Sequence, residues 1–88
     1  MNIKDKIMRL FGYENIKNIH IYSDYQEHPP RKVKMAERTL FFMETGKLKV
    51  PIVITKHWLY GNWYLRDGYT SYLIAKENNI KYVKVVRV

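Results

Sequence analysis

Cysteine is absent from the 88 residues of the chain. Its absence excludes a disulfide framework, a thiolate zinc site and a cysteine nucleophile. The sequence also lacks any apolar stretch approaching the roughly 18 residues that a membrane-spanning helix needs. Residues 1–12 show no uninterrupted apolar region of the kind found in secretion signals. We therefore predict a soluble chain that stays in the reducing environment of the cytoplasm.

Acidic residues are few relative to basic ones. Eight Asp and Glu residues stand against sixteen Lys and Arg residues, so the net charge at pH 7 is +8. This surplus attracts nucleic acid, phosphorylated small molecules or acidic membranes without discriminating among them. A generically basic surface with no dedicated partner is the alternative. The composition favours an anionic partner and leaves its kind open.

The rest of the composition is that of an ordinary globular protein. Hydrophobic residues make up 47% of the chain and aromatic residues 15%, which is enough ring surface to fill a small core. A chain of this length has room for one core and is too short for a large active-site architecture. One domain spanning residues 1–88 is therefore predicted.

The N-terminal segment, residues 1–15, has the pattern of a short amphipathic helix. Between residues 2 and 11, basic side chains separate apolar ones that recur at helical spacing, namely Ile3, Ile7, Leu10 and Phe11. We expect the helix to dock this apolar stripe on the rest of the domain. Binding of the stripe to an anionic membrane surface is the alternative.

Two elements are predicted in the middle of the chain. Alternating β-branched residues from Ile16 to Tyr22 predict a first strand, and the polar segment that follows ends at Pro29-Pro30. A long helix is predicted from Arg31 to Thr45, with Gly46 as its left-handed terminator and Phe41 among its charged residues. The predicted core face of this helix comprises Val33, Met35, Ala36, Leu40, Phe42 and Met43.

The C-terminal half of the chain predicts most of a sheet. Val50–Thr55 is a dense apolar run typical of a central strand buried on both faces, and Trp63–Arg66 predicts a second strand in a hairpin with it. A helix from Tyr69 to Asn78 and a closing strand from Tyr82 to Val88 follow. This order predicts an α/β fold in which helices pack on a small mixed sheet.

The junction at Gly68 has the local pattern of an anion site. The sequence there reads as a strand, a tight glycine turn and the start of a helix, whose first amides have no intrahelical acceptor. Gly68 lets the backbone approach a ligand, and the hydroxyls of Thr70 and Ser71 add donors around a phosphate. In the alternative interpretation, Asp67 caps the helix and both hydroxyls face water.

Five short segments follow one another in an order that belongs to a known family. They are Pro29-Pro30-Arg31, the helix end Thr45-Gly46-Lys47-Leu48, the strand Pro51-Ile52-Val53-Ile54, the turn and helix Asp67–Ala75, and the strand Val83–Val88. Together these segments resemble the ParB/sulfiredoxin-type fold of plasmid-partition proteins and ParB-like nucleases. The resemblance covers about residues 16–88.

The resemblance implies a site for the phosphate groups of a nucleotide or a nucleic acid. Gly68, Tyr69, Thr70 and Ser71 would line this site, and Arg31 would face it from across the sheet. Family members usually carry Arg where this chain has Ser71, and the missing guanidinium weakens any claim of catalysis. Sulfiredoxin activity is excluded, because its catalytic thiol has no counterpart in a chain without cysteine.

Basic and aromatic residues outside the turn are further candidates. The residues predicted to contact nucleic acid are Lys32, Lys47, Lys49 and Arg66, although lysines near a loop also serve simply as solvated charge. Aromatic residues clustered around the predicted hairpin either stack on bases or fill the core, and we expect a core role for at least half of them. They are Trp58, Tyr60, Trp63 and Tyr64.

No metal site is predicted from the sequence. The three histidines are dispersed and no two have helix-ligand spacing; they are His20, His28 and His57. Asp67 together with Glu27 or Glu37 would hold a magnesium ion only if folding brought those carboxylates together.

Three functional hypotheses follow from these patterns. The first is a module that binds the phosphates of nucleic acid or a nucleotide without turnover and needs no cofactor. The second is a metal-dependent nuclease or nucleotide hydrolase that uses magnesium, so enzymatic activity stays an open question. The third is a protein-interaction module of the kind found in phages or plasmids, in which the basic surface and Phe41 dock on an acidic protein partner.

Overall fold

The computed structural model describes residues 2–88. Within this range the chain forms four α-helices and five β-strands, with one 3-10 turn at Ile16–Asn18. The helices are α1 (Ile3–Leu10), α2 (Ser23–Glu27), α3 (Lys32–Thr45) and α4 (Tyr69–Glu77). The strands are β1 (Tyr13–Asn15), β2 (Ile19–His20), β3 (Ile52–Lys56), β4 (Trp63–Asp67) and β5 (Tyr82–Arg87). No helix in residues 2–88 is both long enough and apolar enough to cross a bilayer.

The five strands form one mixed sheet in the order β1-β5-β3-β4-β2. β3 lies at the centre of the sheet, antiparallel to β4 and parallel to β5. At the two edges, β1 pairs antiparallel with β5 and β2 pairs parallel with β4. The predicted α/β class, the central strand, the hairpin and the closing strand are thereby confirmed.

The core lies between the sheet and α4. Ile52 and Ile54 point to the same face of β3 and are fully buried, and Leu65 of β4 pairs with Ile54 and is buried as well. Val53, on the opposite face of β3, is only half-buried, so the strand is more solvent-exposed on that side than its apolar run predicts. The remaining buried members of the core are Ile19, Tyr72, Ala75, Val83 and Val85.

The prediction of the core face of α3 is wrong. Val33, Leu40 and Met43 are exposed, and no residue of the helix is fully buried. The main packing partner of α3 is α4, which already covers the buried face of the sheet, so α3 is held along one narrow side only. Phe41 is half-buried, and the Lys49 ammonium lies 5.6 Å from its ring centroid.

The predicted first strand is also wrong over most of its length. Only Ile19–His20 has strand pairing, and the residues before it form the 3-10 turn. The side chain of Asn15 caps this turn by accepting a hydrogen bond of 3.0 Å from the Lys17 amide, which stabilises a tight turn where alternation predicted an extended chain. Strand β1 and helix α2, Ser23–Glu27, are short elements that the sequence pattern did not predict.

Helix α1 packs on the sheet with the opposite face from the one predicted. Asp5 is its one fully buried residue, and the apolar stripe that was expected to dock is exposed. The Asp5 carboxylate accepts hydrogen bonds from the Tyr82 hydroxyl at 2.6 Å, from Asn15 Nδ2 at 3.4 Å and from Asn18 Nδ2 at 3.5 Å. A buried carboxylate is retained only when such partners replace its water, so these bonds fix the orientation of α1.

A second buried carboxylate lies beside the first. Glu14 of β1 is fully buried and accepts hydrogen bonds from Arg9 Nε at 2.7 and 3.0 Å and from Arg9 Nη2 at 2.6 Å. Arg87 Nη2 lies 3.7 Å from the same carboxylate. The hydrogen bonds that Arg9 donates to Glu14 raise the pKa of Arg9, so the guanidinium keeps its charge. Arg9 thus binds the C-terminal end of α1 to β1.

Loss of the Tyr82 hydroxyl should destabilise the protein in a pH-dependent way. The hydrogen bond from Tyr82 lowers the pKa of Asp5, so its stabilising contribution is present above the unfolded-state pKa and is lost as the pH falls through the folded-state pKa. We expect Tyr82→Phe to lower the free energy of unfolding at pH 7 and to differ less from the original protein below about pH 4.

Urea unfolding between pH 2 and pH 7 measures this difference. Tyr60→Phe, which changes an exposed tyrosine, is the matched control and should leave the curve unchanged. The same bond raises the pKa of Tyr82 to about 12, so its contribution is lost on the alkaline side as the pH approaches that value. If the difference in the free energy of unfolding between Tyr82→Phe and the original protein stayed constant across the acid range, the role assigned to the Tyr82–Asp5 hydrogen bond would be contradicted.

Candidate functional site

Gly68 joins β4 to α4 by a turn that only glycine allows. Its φ is +87°, in the left-handed region that side chains disfavour. A Cβ at this position would collide with the carbonyl oxygen of Pro51 and lie 3.0 Å from the Cα of Ile52. The turn is therefore packed directly against the backbone that leads into the central strand, and this contact sets where α4 begins.

The N-terminus of α4 has no side-chain cap. The first intrahelical hydrogen bond is donated by the Tyr72 amide to the Gly68 carbonyl at 3.0 Å, so the amides of Tyr69, Thr70 and Ser71 precede the regular ladder. The Asp67 carboxylate accepts a hydrogen bond of 2.9 Å from the Gly68 amide and not from a helical amide. The first turn of α4 therefore carries the partial positive charge of an uncapped helix N-terminus.

A cleft of about 240 Å³ opens in front of these amides. One wall is the N-terminus of α4, and the other is α3, which contributes Lys34 and Arg38. Tyr25 of α2 and the segment from His28 to Pro30 also line the cleft. Two cationic side chains and an uncapped helix N-terminus thus converge on one cavity, where the residues present are suited to an anion.

Tyr25 is held rigidly in the cleft wall. Its hydroxyl donates a hydrogen bond to the Arg66 carbonyl, and its ring centroid lies 5.1 Å from that of Tyr69. Burial raises the pKa of Tyr25, and the nearby negative charge of Asp67 raises it further, while the positive charge of Arg66 lowers it by less. The phenol therefore stays neutral. The wall therefore presents a fixed aromatic surface beside the cationic side chains.

Ser71 has a structural role that the sequence did not indicate. Its side chain is 3% exposed, and its hydroxyl donates a hydrogen bond of 2.6 Å to the Val50 carbonyl. The hydroxyl proton is therefore committed to the backbone before β3, and Ser71 offers a ligand its amide rather than its hydroxyl. A guanidinium reaches the cleft from a different element, since Arg38 of α3 lines it.

The predicted phosphate-binding residues are only partly brought together. Gly68, Tyr69, Thr70 and Ser71 all line the cleft. Arg31 is the N-cap residue of α3, is exposed, and is not among the residues that line the cavity. Lys34, Arg38 and Tyr25 are the cleft residues that sequence reasoning missed. The available signal was the spacing of Lys34 and Arg38 by one helical turn, which places them on one face.

The four residues predicted to contact nucleic acid are scattered. Lys32 lies beside the exposed apolar face of α3, and Lys47 and Lys49 line a separate depression next to β5. Arg66 is exposed on β4. The hairpin aromatics divide evenly, because Trp63 and Tyr64 are half-buried whereas Trp58 and Tyr60 are exposed. None of the four basic residues lines the α3–α4 cleft.

The carboxylates proposed for magnesium do not meet in the cleft. Asp67 lines it, but Glu27 and Glu37 are exposed elsewhere. Residues 2–88 contain no group of three or more His, Asp or Glu side chains placed to hold a metal ion. Of the histidines, His57 has a structural use, since its Nδ1 accepts hydrogen bonds from the Leu59 and Tyr60 amides at 3.1 and 3.2 Å.

Comparison with known proteins shows the fold. No protein-family model and no curated protein matches the chain. Its structure is similar to that of the C-terminally truncated chromosome-partitioning protein ParB from Caulobacter crescentus complexed with CTP-γ-S, with a TM-score of 0.65 and 17% sequence identity. The match covers 86% of this chain and 42% of the ParB chain, so this chain corresponds to less than half of that protein. The fold is therefore ParB-like.

Substituting Gly68 should destabilise the protein more than an equivalent change elsewhere. Gly68→Ala combines a left-handed residue with a collision against Pro51, and we expect it to lower the free energy of unfolding by about 3 kcal/mol or more. Gly46→Ala is the matched control, because Gly46 has a φ of +71° and no atom within 4 Å of a built Cβ. Gly46→Ala should lower the free energy of unfolding by only about 1 kcal/mol. Equal losses in urea unfolding would show that the Pro51 contact is unimportant.

Proposed function

We propose that this chain binds the phosphate groups of a nucleotide in the cleft between α3 and α4, without turnover. The observation that carries the proposal is the uncapped N-terminus of α4 opening into a cavity that Lys34 and Arg38 also line. Backbone amides at a helix N-terminus and a guanidinium are the donors that phosphate oxygens accept most readily.

Each part of the cleft has a distinct role in this proposal. The amides of Tyr69, Thr70 and Ser71 donate to one phosphate, because they have no intrahelical acceptor. Arg38 is half-buried and supplies two parallel donors, whereas the exposed Lys34 adds charge at the cleft rim. The Tyr25 ring provides an apolar surface on which the base or sugar rests.

Two observations favour a nucleotide over a polymer of nucleotides. The ParB structure with the same fold was determined with CTP-γ-S bound. The cavity is small, about 240 Å³, and the basic residues that would extend it into a track for a nucleic-acid backbone lie elsewhere on the surface. Binding without turnover fits the lining of the cleft, in which Asp67 is the one carboxylate and has no second carboxylate beside it to hold a catalytic metal ion.

Titration calorimetry with CTP, ATP, GTP and UTP, with and without magnesium, tests the proposal. We expect saturable binding that weakens with added salt, as charge-assisted phosphate contacts do. Arg38→Gln should weaken binding about tenfold or more, because a hydrogen bond to a charged group contributes about 1.5–3 kcal/mol. Lys34→Gln should weaken binding by a smaller factor, because its side chain is exposed.

Arg31→Gln is the matched control, because it removes the same charge from the same region but from outside the cleft. It should bind nucleotide nearly as well as the unaltered chain. Equal weakening by Arg31→Gln and Arg38→Gln would show that only net charge matters, and no binding of any nucleotide at low salt would overturn the proposal. Release of free phosphate or diphosphate in the presence of magnesium would contradict binding without turnover.

A further inference from the structure

Helix α1 is mounted on the domain with its apolar face towards solvent. Ile3 is 75% exposed, Leu10 is 84% exposed and Phe11 is 71% exposed, and Ile7 lies between them at 48%. Single exposed apolar residues are ordinary, but three on one face of an eight-residue helix, followed by its C-cap residue Phe11, form a contiguous patch. A patch of this kind in a folded chain indicates a surface that is covered in use.

The arrangement of charges around this patch is regular. At about 100° per residue, the four apolar side chains span an arc of about 100°, and Asp5 and Arg9 lie on the opposite side. Lys4 and Lys6 fall on the two borders of the apolar arc and both are exposed, but the Lys4 ammonium lies 5.5 Å from the ring centroid of Tyr82 on the sheet side of the helix. The outward surface of α1 is therefore an apolar stripe bordered by Lys6.

The stripe cannot turn inward, because the opposite face of the helix is bonded to the sheet. Asp5 is 6% exposed and is held by Tyr82, and Arg9 is held by the fully buried Glu14. Rotating the helix would take Arg9 away from the fully buried Glu14 carboxylate and would remove Asp5 as the acceptor of the Tyr82 hydroxyl, which is strongly unfavourable. The outward orientation is thus built into the fold.

A second exposed apolar feature lies in the β3–β4 hairpin. The loop between β3 and β4 carries Trp58, which is 87% exposed, together with the exposed Leu59 and Tyr60. A groove runs from the base of this loop, where Lys56 and Gly61 line it, to the C-terminal end of α1, where Arg9 lines it. Lys17 also lines the groove, and none of its lining residues is acidic.

We propose that α1 docks the protein peripherally on an anionic phospholipid bilayer. The apolar stripe enters the interfacial region, where aromatic and aliphatic side chains partition favourably. Lys6 on the border of the stripe contacts the acidic headgroups, and the net charge of +8 adds a general attraction. This docking goes beyond the proposed nucleotide site and uses none of its residues.

Charge favours a bilayer over a second copy of the chain. Two copies meeting at this surface would each bring a net charge of +8 and would place the bordering lysines near one another. An anionic bilayer instead attracts the net charge and the bordering lysine together, and it offers an apolar layer at the depth that a surface-lying helix reaches.

Vesicle co-sedimentation tests the proposal with the full chain. We expect binding to vesicles of phosphatidylcholine and phosphatidylserine in equal parts, weaker binding to phosphatidylcholine alone, and a decline with added salt. The double variant Leu10→Gln/Phe11→Gln should lower the partition coefficient about tenfold or more, because both side chains lose their apolar transfer energy. Both residues are exposed, so the fold should persist, which circular dichroism checks.

Matched variants distinguish binding through this surface from nonspecific adsorption to the vesicles. Leu40→Gln/Met43→Gln removes two exposed apolar side chains from α3 and should bind vesicles unchanged. Lys6→Glu should reduce binding more than Lys32→Glu, although both substitutions change the net charge equally. Vesicle binding that survives Leu10→Gln/Phe11→Gln would overturn the proposal.

Two further results would also overturn the proposal. One is the absence of binding to acidic vesicles at low salt. The other is a dimer in size-exclusion chromatography that Leu10→Gln/Phe11→Gln converts to monomer, since a second copy would then cover the stripe. The Arg38→Gln variant, which tests the nucleotide cleft, should bind vesicles like the unaltered chain, so the two proposals fail independently.

Discussion

The contact between Gly68 and the backbone of Pro51 and Ile52 is the constraint on which the cleft depends. Because nothing larger than a hydrogen fits there, α4 starts immediately beside the strand entry, and the Ser71 hydroxyl bonds it to Val50 from the next turn. Two attachments to one short segment of backbone hold the first helical amides in place. The ligand-facing surface is thus preorganised by the packing of the sheet, which reduces the ordering that binding would otherwise require.

A second constraint lies near the N-terminus, where Asp5 and Glu14 are buried against their hydrogen-bond partners. Buried carboxylates stabilise a fold less than apolar residues of similar size would, but they specify one arrangement sharply because each alternative leaves a charge unpaired. Here the specified arrangement is a helix whose polar side faces the protein. Tyr82, at the start of the last strand, completes this network, so the two ends of the chain meet at Asp5.

The sequence predicted correctly those elements whose local hydrophobic pattern agrees with the face that the structure buries. The β3–β4 hairpin, α4 and the glycine turn have one strong local signal each, and the structure contains them. Helices α1 and α3 were predicted nearly at their observed bounds, but the prediction of their buried faces failed, because periodicity identifies an apolar face but not which face the rest of the fold covers. At the site, Gly68 was evident from the strand-to-helix pattern, whereas Arg38 reaches the cleft only through the packing of α3 on α4, which no local pattern encodes.

The sheet ends in very short strands on both sides. β1 has three residues and β2 has two, and Asn15 turns the chain away from extended geometry directly after β1. Exposed sheet edges are the places where folded chains pair with one another and form fibrils. Edge strands this short present few unpaired backbone groups to another chain. The two edge strands themselves therefore give another chain little backbone to pair with in crowded solutions, despite a core rich in β-branched residues.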